Sequence, residues 1–282
     1  MIIDFHTHVF PRFIRDDRSS LFDREPEFKT LYDSPDAKLV GVKDLIRSMD
    51  DDNVDMAVIF GFPWNTPEYY RQNNDYIIEA VSKYPDRLIG LCCFSVDALE
   101  AAEETERCLK AGLSGVGELA VYGSDLNTDI IRKLKGVMDV CLEYNALVLL
   151  HTNEPVGHKY AGKAPMTLGQ IYRFLKTYPL NRIVLAHWGG GILFYGLMKK
   201  EVQDVFKNVW FDTAASPYLY KVDMYRIASE IIGYDKILFG TDYPLLKPKR
   251  YFKDMAKSGI SSYVKDRICG LNAKALLDSV MK

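Results

Sequence analysis

The sequence contains only five histidines, and four of them fall where they could bind a metal ion. His6 and His8 lie two residues apart in a short apolar stretch near the N-terminus. Residues i and i+2 of a strand point to the same face, so both imidazoles can bind one ion. His151 and His187 each end another apolar stretch, and imidazole nitrogen is a common ligand of transition metals. This pattern predicts a metal centre.

Two acidic residues occupy matching positions, because Glu118 and Asp242 also end short apolar stretches. Any one such side chain is more simply explained as a hydrogen-bonded structural residue, but six at equivalent positions are not. Nitrogen and carboxylate donors without thiolates favour zinc, with manganese or iron(II) as alternatives, over calcium. The predicted ligands of one or two divalent ions are His6, His8, Glu118, His151, His187 and Asp242.

The elements that must position these residues alternate regularly along the chain. Apolar stretches that resemble strands begin near Ile2, Asp55, Leu88, Gly115, Ala146, Arg182, Val209 and Lys236. Between them, apolar residues recur with helical spacing from 77 to 84, from 168 to 175 and from 194 to 205. The strands are apolar throughout, as in parallel strands that are covered on both faces.

Eight strand–helix repeats predict an α/β fold of the (β/α)₈ TIM-barrel type, in one domain over residues 1–282. A doubly wound open sheet is the alternative, but no glycine-rich phosphate turn follows the first strand. In a closed barrel the carboxyl ends of the strands surround one pocket, so the six predicted ligands form a ring. The long insertion after strand 1, at about 10–54, is expected to cover this site.

The composition of the chain argues against nucleic acid and membranes as binding partners. The net charge of −2 offers no broad attraction for nucleic acid, and no apolar run is long enough to span a membrane. The five cysteines match no zinc or disulfide pattern and the N-terminus shows no signal peptide, so we expect a cytoplasmic protein. A small molecule is the expected substrate, and a homodimer is one possible assembly.

Substrate contacts are expected from polar and aromatic residues beside the ring, because loops at the catalytic rim set specificity. A solvated surface loop is an equally good explanation of the segment after strand 5. The candidate substrate-binding residues are Asn153, Glu154, His158, Lys159, Trp188 and Tyr243. Asp212, at the end of strand 7, is expected to support a histidine from behind.

Several motifs resemble the amidohydrolase superfamily, and within it the amidohydrolase-related group of TIM-barrel metal-dependent hydrolases. The matching segments are 3–8 (IDFHTH), 150–151 (LH), 185–190 (LAHWGG), 239–244 (FGTDYP) and 272–277 (NAKALL). The resemblance implies a metal-dependent enzyme over the whole chain. Many two-metal members carry a carboxylated lysine where this chain has Glu118. Gly117-Glu118-Leu119 instead resembles the turn of TatD-type hydrolases, whose glutamate bridges two metals.

The sequence is compatible with either one or two metal ions. One ion would be held by His6, His8, His151 and Asp242. With two ions, His6, His8, Glu118 and Asp242 would hold the first, and Glu118, His151 and His187 the second.

The predicted function is hydrolysis of a small amide, lactone or ester by a metal-activated water. Asp242 would orient and deprotonate the water, and His187 would polarise the substrate carbonyl. One alternative is a non-oxidative decarboxylase similar to aminocarboxymuconate-semialdehyde decarboxylase. Another is a TatD-like phosphoesterase or nuclease, which needs a basic groove that the net charge does not suggest.

Overall fold

Eight short parallel strands form one sheet in chain order in the computed structural model, which describes residues 1–280. The strands are β1 (Ile3–His8), β2 (Met56–Phe60), β3 (Leu88–Cys92), β4 (Gly115–Leu119), β5 (Leu147–Leu150), β6 (Arg182–Leu185), β7 (Val209–Asp212) and β8 (Ile237–Leu238). Each begins within one residue of its predicted start, so the eight predicted strands are confirmed.

Backbone hydrogen bonds between β1 and the chain after β8 nearly close the sheet into a barrel. The amide of Phe5 donates to the carbonyl of Phe239 at 2.7 Å, and the amide of His8 donates to Tyr243 at 2.8 Å. The predicted (β/α)₈ barrel is therefore confirmed, and the carboxyl ends of its strands surround one mouth.

Helices follow the strands around the outside of the barrel. They are α1 (Arg12–Asp16), α2 (Pro26–Tyr32), α3 (Val42–Asp52), α4 (Pro67–Lys83), α5 (Ala101–Lys110), α6 (Thr128–Lys133), α7 (Lys135–Glu143), α8 (Leu168–Thr177), α9 (Glu201–Val205), α10 (Ser216–Leu219), α11 (Met224–Ile232), α12 (Pro248–Met255), α13 (Ser262–Asp266) and α14 (Asn272–Val280). Among residues 1–280, no helix has both the length and the apolar character that a membrane span requires.

Successive side chains of each strand belong to two different layers. In β2, Val58 and Phe60 pack in the inner cluster, whereas Ala57 and Ile59 pack outward against the helices. Helix α14 contributes Leu276 to the inner cluster. The barrel is thus filled by side chains, and burial on both faces explains why its strands are apolar throughout.

The helix predicted from 194 to 205 is only partly correct. Residues His187–Leu197 form tight 3₁₀ turns, and helix α9 begins only at Glu201. Leu197 and Met198, expected on a buried stripe, are 72% and 68% exposed. Within the 3₁₀ segment, Trp188 and the three glycines that follow it all have positive φ, so the chain that leads into residue 194 is not a continuous helix.

The first part of the connection between β1 and β2 packs against residues at the carboxyl end of β2. The ring of Phe28, in α2, lies 4.5 Å from Trp64 and 5.3 Å from Phe62. Tyr32, the last residue of α2, lies 4.7 Å from Phe28. Helices α1 and α2 are therefore held beside the mouth of the barrel, whereas α3 is the outer helix that precedes β2.

Candidate metal centre

An irregularity in β1 directs His6 toward the interior of the barrel. The segment from Asp4 to Thr7 is one residue longer than the segment of β2 that it pairs with. Phe5 lies in the inner cluster, so simple alternation would point His6 outward. With the extra residue, the His6 ring lies 5.1 Å from Phe60, which also belongs to the inner cluster. The bulge thus re-aims the imidazole, as bulges near active sites often do.

Strand β4 carries a similar irregularity at Glu118. The step from Val116 to Leu119 in β4 pairs with the shorter step from Val148 to Leu150 in β5. The carboxylate of Glu118 is buried and lies within 4 Å of a ring nitrogen of all four ring histidines. Glu118 therefore occupies the centre of the candidate site.

Three histidines present the same nitrogen, Nε2, to that centre. In each, Nδ1 faces an oxygen that can only accept a hydrogen bond, so Nδ1 carries the proton. The acceptors are Asp212 for His6 (2.8 Å), the carbonyl of Gly61 for His8 (3.1 Å) and the carbonyl of Ala214 for His187 (3.0 Å). This arrangement directs the three Nε2 atoms toward the centre, where they can bind a metal ion in place of a proton.

The Nε2 atom of His6 supports this interpretation directly. It is buried and has no hydrogen-bond partner, although it lies 3.7 Å from Asp242 and 3.8 Å from Glu118. A buried nitrogen without a partner carries a free-energy cost that a bound cation removes. The residues present therefore fit a divalent metal ion.

In His151 the roles of the two ring nitrogens are reversed, because Nδ1 rather than Nε2 faces the centre. Its Nε2 faces the carbonyl of Gly162 at 2.9 Å, and its Nδ1 faces Glu118 at 2.9 Å. Since the carbonyl can only accept, Nε2 holds the proton and Nδ1 is the nitrogen available to a metal.

The donor atoms of the ring fall into three overlapping groups within residues 1–280, each with its atoms within 4.8 Å of one another. The groups are His6, His8 and Glu118; His6, His187 and Asp242; and Glu118, His151 and His187. His151 shares no group with His8 or Asp242, so the four predicted ligands of a single ion do not form one compact set. Glu118 belongs to two of the groups, which is where a bridging carboxylate would lie.

Two of the ring residues have left-handed backbones. The φ angles of His187 and Asp242 are 54° and 61°, in a region that non-glycine residues seldom occupy. Gly240 helps to make this possible, because a Cβ there would lie 2.8 Å from the Cβ of His6. Asp4 accepts hydrogen bonds from the amide and hydroxyl of Thr241 and so ties β1 to the same turn. Strained residues held this firmly are typical of functional sites.

Charges within the ring strongly affect its pKa values. Burial opposes a charge on His6, but Asp212 and Glu118 outweigh it and raise the pKa of His6 to about 10. Burial likewise opposes a charge on His187, and its hydrogen bond to Glu118 raises its pKa to about 9. Burial alone would raise the pKa of Glu118, yet His151 and His6 hold it well below its usual range. A metal ion must therefore displace protons from these histidines when it binds.

Asp212 orients His6 and the turn that carries His187, as expected for a residue behind the ligands. Besides its contact with His6, it accepts hydrogen bonds from the backbone amides of His187 and Ala214, each at 2.9 Å.

We expect Asp212→Asn to weaken metal binding about 10- to 100-fold, because an amide NH₂ facing His6 would force the proton onto Nε2. Competition with a chelator measures this affinity. Asp139→Asn, on the outer helix α7, is the control, and equal affinities in both variants would show that Asp212 does not orient His6.

Three of the predicted substrate residues have structural partners instead. The indole of Trp188 is fully buried and donates to Ser216 at 2.6 Å. Asn153 is buried and pairs with the backbone of Ala164 through both side-chain atoms. Tyr243 is buried beside α3, and this burial raises the pKa of its phenol, although a hydrogen bond with Ser48 opposes the shift. None of the three offers a free surface to a substrate, because tertiary contacts that the sequence does not reveal have engaged them.

The other three predicted substrate residues lie on the loop after β5. Glu154 binds the ammonium of Lys163 and the hydroxyl of Tyr160, both at 2.9 Å. His158 and Lys159 are exposed to solvent. The loop is attached to the ring through Gly162, and within residues 1–280 no hydrogen bond or ion pair joins these three side chains to the ring histidines.

Sequence reasoning missed three aromatic residues beside the ring: Tyr32, Phe62 and Tyr122. Phe62 and Tyr122 follow β2 and β4 at their carboxyl ends, so the predicted strand ends could have identified them. Tyr32 belongs to the insertion, and no sequence signal distinguishes it from the neighbouring aromatic residues.

Comparison with known proteins gives both a family and relatives. The amidohydrolase family model matches residues 3–278 of the chain. The 2-amino-3-carboxymuconate-6-semialdehyde decarboxylase of Dictyostelium discoideum is 23% identical, over 82% of this chain and 75% of that protein. The family match covers nearly the whole chain, as the motifs suggested.

Solved structures show the same fold. The 5-carboxyvanillate decarboxylase of Sphingomonas paucimobilis has a TM-score of 0.76 at 19% identity, covering 98% of each chain. A dihydroxybenzoic acid decarboxylase from Polaromonas sp. JS666, with bound manganese and the inhibitor 2-nitroresorcinol, has a TM-score of 0.71 at 20% identity. That match covers 98% of this chain and 96% of the other.

These comparisons overturn the prediction of hydrolysis, which is wrong: the relative and both of these structural neighbours are decarboxylases. The physical reason for the error is that a ring of imidazoles and carboxylates around a divalent ion serves both reactions. A divalent metal remains supported by the donor groups of the ring, but zinc is not confirmed, since the dihydroxybenzoic acid decarboxylase holds manganese.

Proposed function

The chain belongs to the amidohydrolase family, and from this premise we propose that it is a metal-dependent, non-oxidative decarboxylase of a small carboxylic acid. The observation that carries the metal dependence is the ring itself: three Nε2 atoms and one Nδ1 atom converge on buried Glu118. The decarboxylases among its relatives and structural neighbours favour this reaction over the other metal-dependent reactions of the superfamily.

Decarboxylation needs no second substrate other than a proton. The bond between the substrate's carboxylate carbon and its neighbouring carbon breaks, carbon dioxide leaves, and a proton takes its place on the remaining carbon. No oxidant or reductant is consumed. The protein must therefore orient the carboxylate, stabilise the electron pair left on the carbon, and deliver one proton.

The ring residues would hold the metal, and a bound divalent cation would supply positive charge that orients anionic substrate oxygens. We assign the ligands to His6, His8, Glu118, His151 and Asp242. His187 is assigned both to the ligand group with Glu118 and to contact with the substrate, because its Nδ1–H is held by Ala214 and its Nε2 faces the centre.

Asp242 is the residue we assign to proton delivery. Its side chain is 19% exposed, more than that of any other member of the ring, and so it is the member most open to a substrate. One carboxylate oxygen lies 3.4 Å from Nε2 of His8 and 3.7 Å from Nε2 of His6. A carboxylate in this position can receive a proton and pass it to the substrate carbon.

The test is a screen for carbon dioxide release by protein loaded separately with manganese and zinc. We expect hydroxylated aromatic carboxylates, or other conjugated acids, to lose carbon dioxide, and treatment with a chelator to abolish the release. Metal analysis of protein purified without chelators identifies the resident ion. Hydrolysis of lactones or amides by the loaded protein, without carbon dioxide from any acid, would refute the assignment.

A further inference from the structure

One peptide unit of the loop after β5 contacts the ring of His151. The carbonyl of Gly162 accepts a hydrogen bond from Nε2 of His151 at 2.9 Å. At the other edge of the same peptide unit, the amide of Lys163 donates to the carbonyl of Tyr160 at 3.0 Å. Because a peptide unit is planar, hydrogen bonds at both of its edges set the direction in which the Gly162 carbonyl points. The orientation of this peptide therefore decides whether Nε2 of His151 has an acceptor.

The carboxylate of Glu154 binds both residues that orient this peptide. Its Oε1 atom accepts a hydrogen bond from the ammonium of Lys163, and its Oε2 atom accepts one from the hydroxyl of Tyr160, both at 2.9 Å. The ammonium also donates to the carbonyl of Val156. The side chains of Glu154 and Lys163 are each 14% exposed, so solvent screens this ion pair less than a pair at the surface. We call Glu154, Tyr160 and Lys163 the loop clamp.

The base of the loop is closed by separate contacts. The side chain of Asn153 accepts from the amide of Ala164 at 2.8 Å and donates to its carbonyl at 3.1 Å. The carbonyl of Asn153 also lies against Gly190, where a Cβ would collide with it. Residues 155–159, in the outer part of the loop, are exposed to solvent. An exposed segment of this kind opens easily, so the order of the loop depends on the loop clamp.

The proton of the His151 ring has two acceptors to choose between. Nδ1 faces the carboxylate of Glu118 at 2.9 Å, and Nε2 faces the carbonyl of Gly162. An imidazole that binds a metal keeps one proton, which lies on the nitrogen that does not bind the metal. The Gly162 carbonyl stabilises this proton on Nε2 and leaves Nδ1 for the ion. If the carbonyl turned away, Glu118 would hold the proton on Nδ1, and neither group would then be free to bind the metal.

We propose that Glu154, Tyr160 and Lys163 are positioning residues of the metal centre: they hold the Gly162 carbonyl against His151 and so keep Nδ1 of His151 available to the ion. Their side chains act through the backbone of the loop. The inference rests on the metal dependence in the proposed function, but not on which reaction the metal serves.

The experiment records the ring nitrogens of His151 by NMR in protein loaded with zinc, which is diamagnetic. In the wild type we expect Nδ1 to be bound to zinc and Nε2 to carry a proton that exchanges slowly with water. Lys163→Met removes the ammonium, and Glu154→Gln removes the charge to which both partners bind. In each variant the Nε2 proton should exchange about tenfold faster, because loss of a charge-assisted hydrogen bond makes local opening of the loop more frequent.

Zinc affinity, measured by competition with a chelator, is the second readout. Lys163→Met and Glu154→Gln should each weaken binding about tenfold, the lower end of the range for loss of a group that orients a metal ligand. Tyr160→Phe should have a smaller effect in the same direction, because Lys163 still holds the carboxylate. Combining Glu154→Gln with Lys163→Met should weaken binding little further, since both substitutions break the same ion pair.

Lys133→Met is the matched control, because Lys133 pairs with Asp97 on the outer surface. Its zinc affinity and its His151 signals should equal those of the wild type, even where its unfolding temperature falls as far as that of Lys163→Met.

Two results would overturn the role of the loop clamp, whether or not the protein releases carbon dioxide. One is wild-type exchange and affinity in both Lys163→Met and Glu154→Gln, and the other is zinc bound by Nε2 of His151 in the wild type. The expected changes at His151, in a protein that releases carbon dioxide from no acid, would overturn the proposed decarboxylase function alone.

Discussion

Asp242→Asn is expected to lower the rate of carbon dioxide release about a thousandfold. The substitution keeps the shape of the side chain but removes both its charge and its capacity to carry a proton, and general acid–base groups contribute on the order of 10² to 10⁴ to a rate. His6 and His8 would also lose a negative neighbour, at 3.7 and 3.4 Å. Single-turnover rates on the best substrate of the screen measure the effect.

Asp254→Asn is the matched control for this prediction. Asp254 lies on the outer helix α12, where it faces Arg250 at 3.7 Å. The control should retain full activity, and both variants should unfold at temperatures close to that of the wild type. Full turnover by Asp242→Asn, with full metal content, would mean that the proton reaches the carbon from another group.

Glu118→Gln is expected to weaken metal binding by at least about a hundredfold. Loss of an outer partner of a ligand already costs about 10- to 100-fold, and Glu118 lies inside the ring rather than behind it. Its carboxylate is the common neighbour of the four histidines, at 2.9 Å from His151 and 3.5 Å from His187. A neutral amide cannot offset the charge of the ion, so the remaining donors must hold it alone.

Titration of the metal-free protein measures both the affinity and the number of ions. Two ions in the wild type and one in Glu118→Gln would identify Glu118 as a bridge between two metals. Glu104→Gln is the control, because Glu104 is equally buried but binds Arg107 and Asn74 in the outer layer. That control should lose stability without losing metal. Unchanged affinity in Glu118→Gln would exclude a role for Glu118 as a ligand.

The substrate-binding residues could not be predicted from the sequence, because contacts between distant segments decide which polar side chains are free. Polar character and position near a strand end suggested Asn153 and Trp188, yet the structure engages them with Ala164 and Ser216. Tyr32 carries no distinguishing signal, because its place beside the ring depends on how α2 packs against Phe62. Whether a polar group is free or engaged depends on contacts between distant segments.

The reaction could not be predicted for a different reason. Hydrolysis and decarboxylation both use a divalent ion held by imidazoles and carboxylates, and both need a group that handles a proton. The ligand motifs of the sequence are therefore the same for either reaction. The difference must lie in groups outside the ligand motifs, which come from loops and from the insertion.

The sequence by itself determined the eight strands, the barrel and the convergence of four histidines and two acids on one mouth. It could do so because hydrophobic periodicity and strand ends are local properties, and closure of the barrel brings all strand ends together. Only the tertiary structure decided the rest. Pairing with neighbouring strands produced the bulges at His6 and Glu118. The hydrogen-bond partners of each histidine ring decided which of its nitrogens faces the centre. Register and hydrogen bonding between segments far apart in the chain set these features, and no local pattern records them.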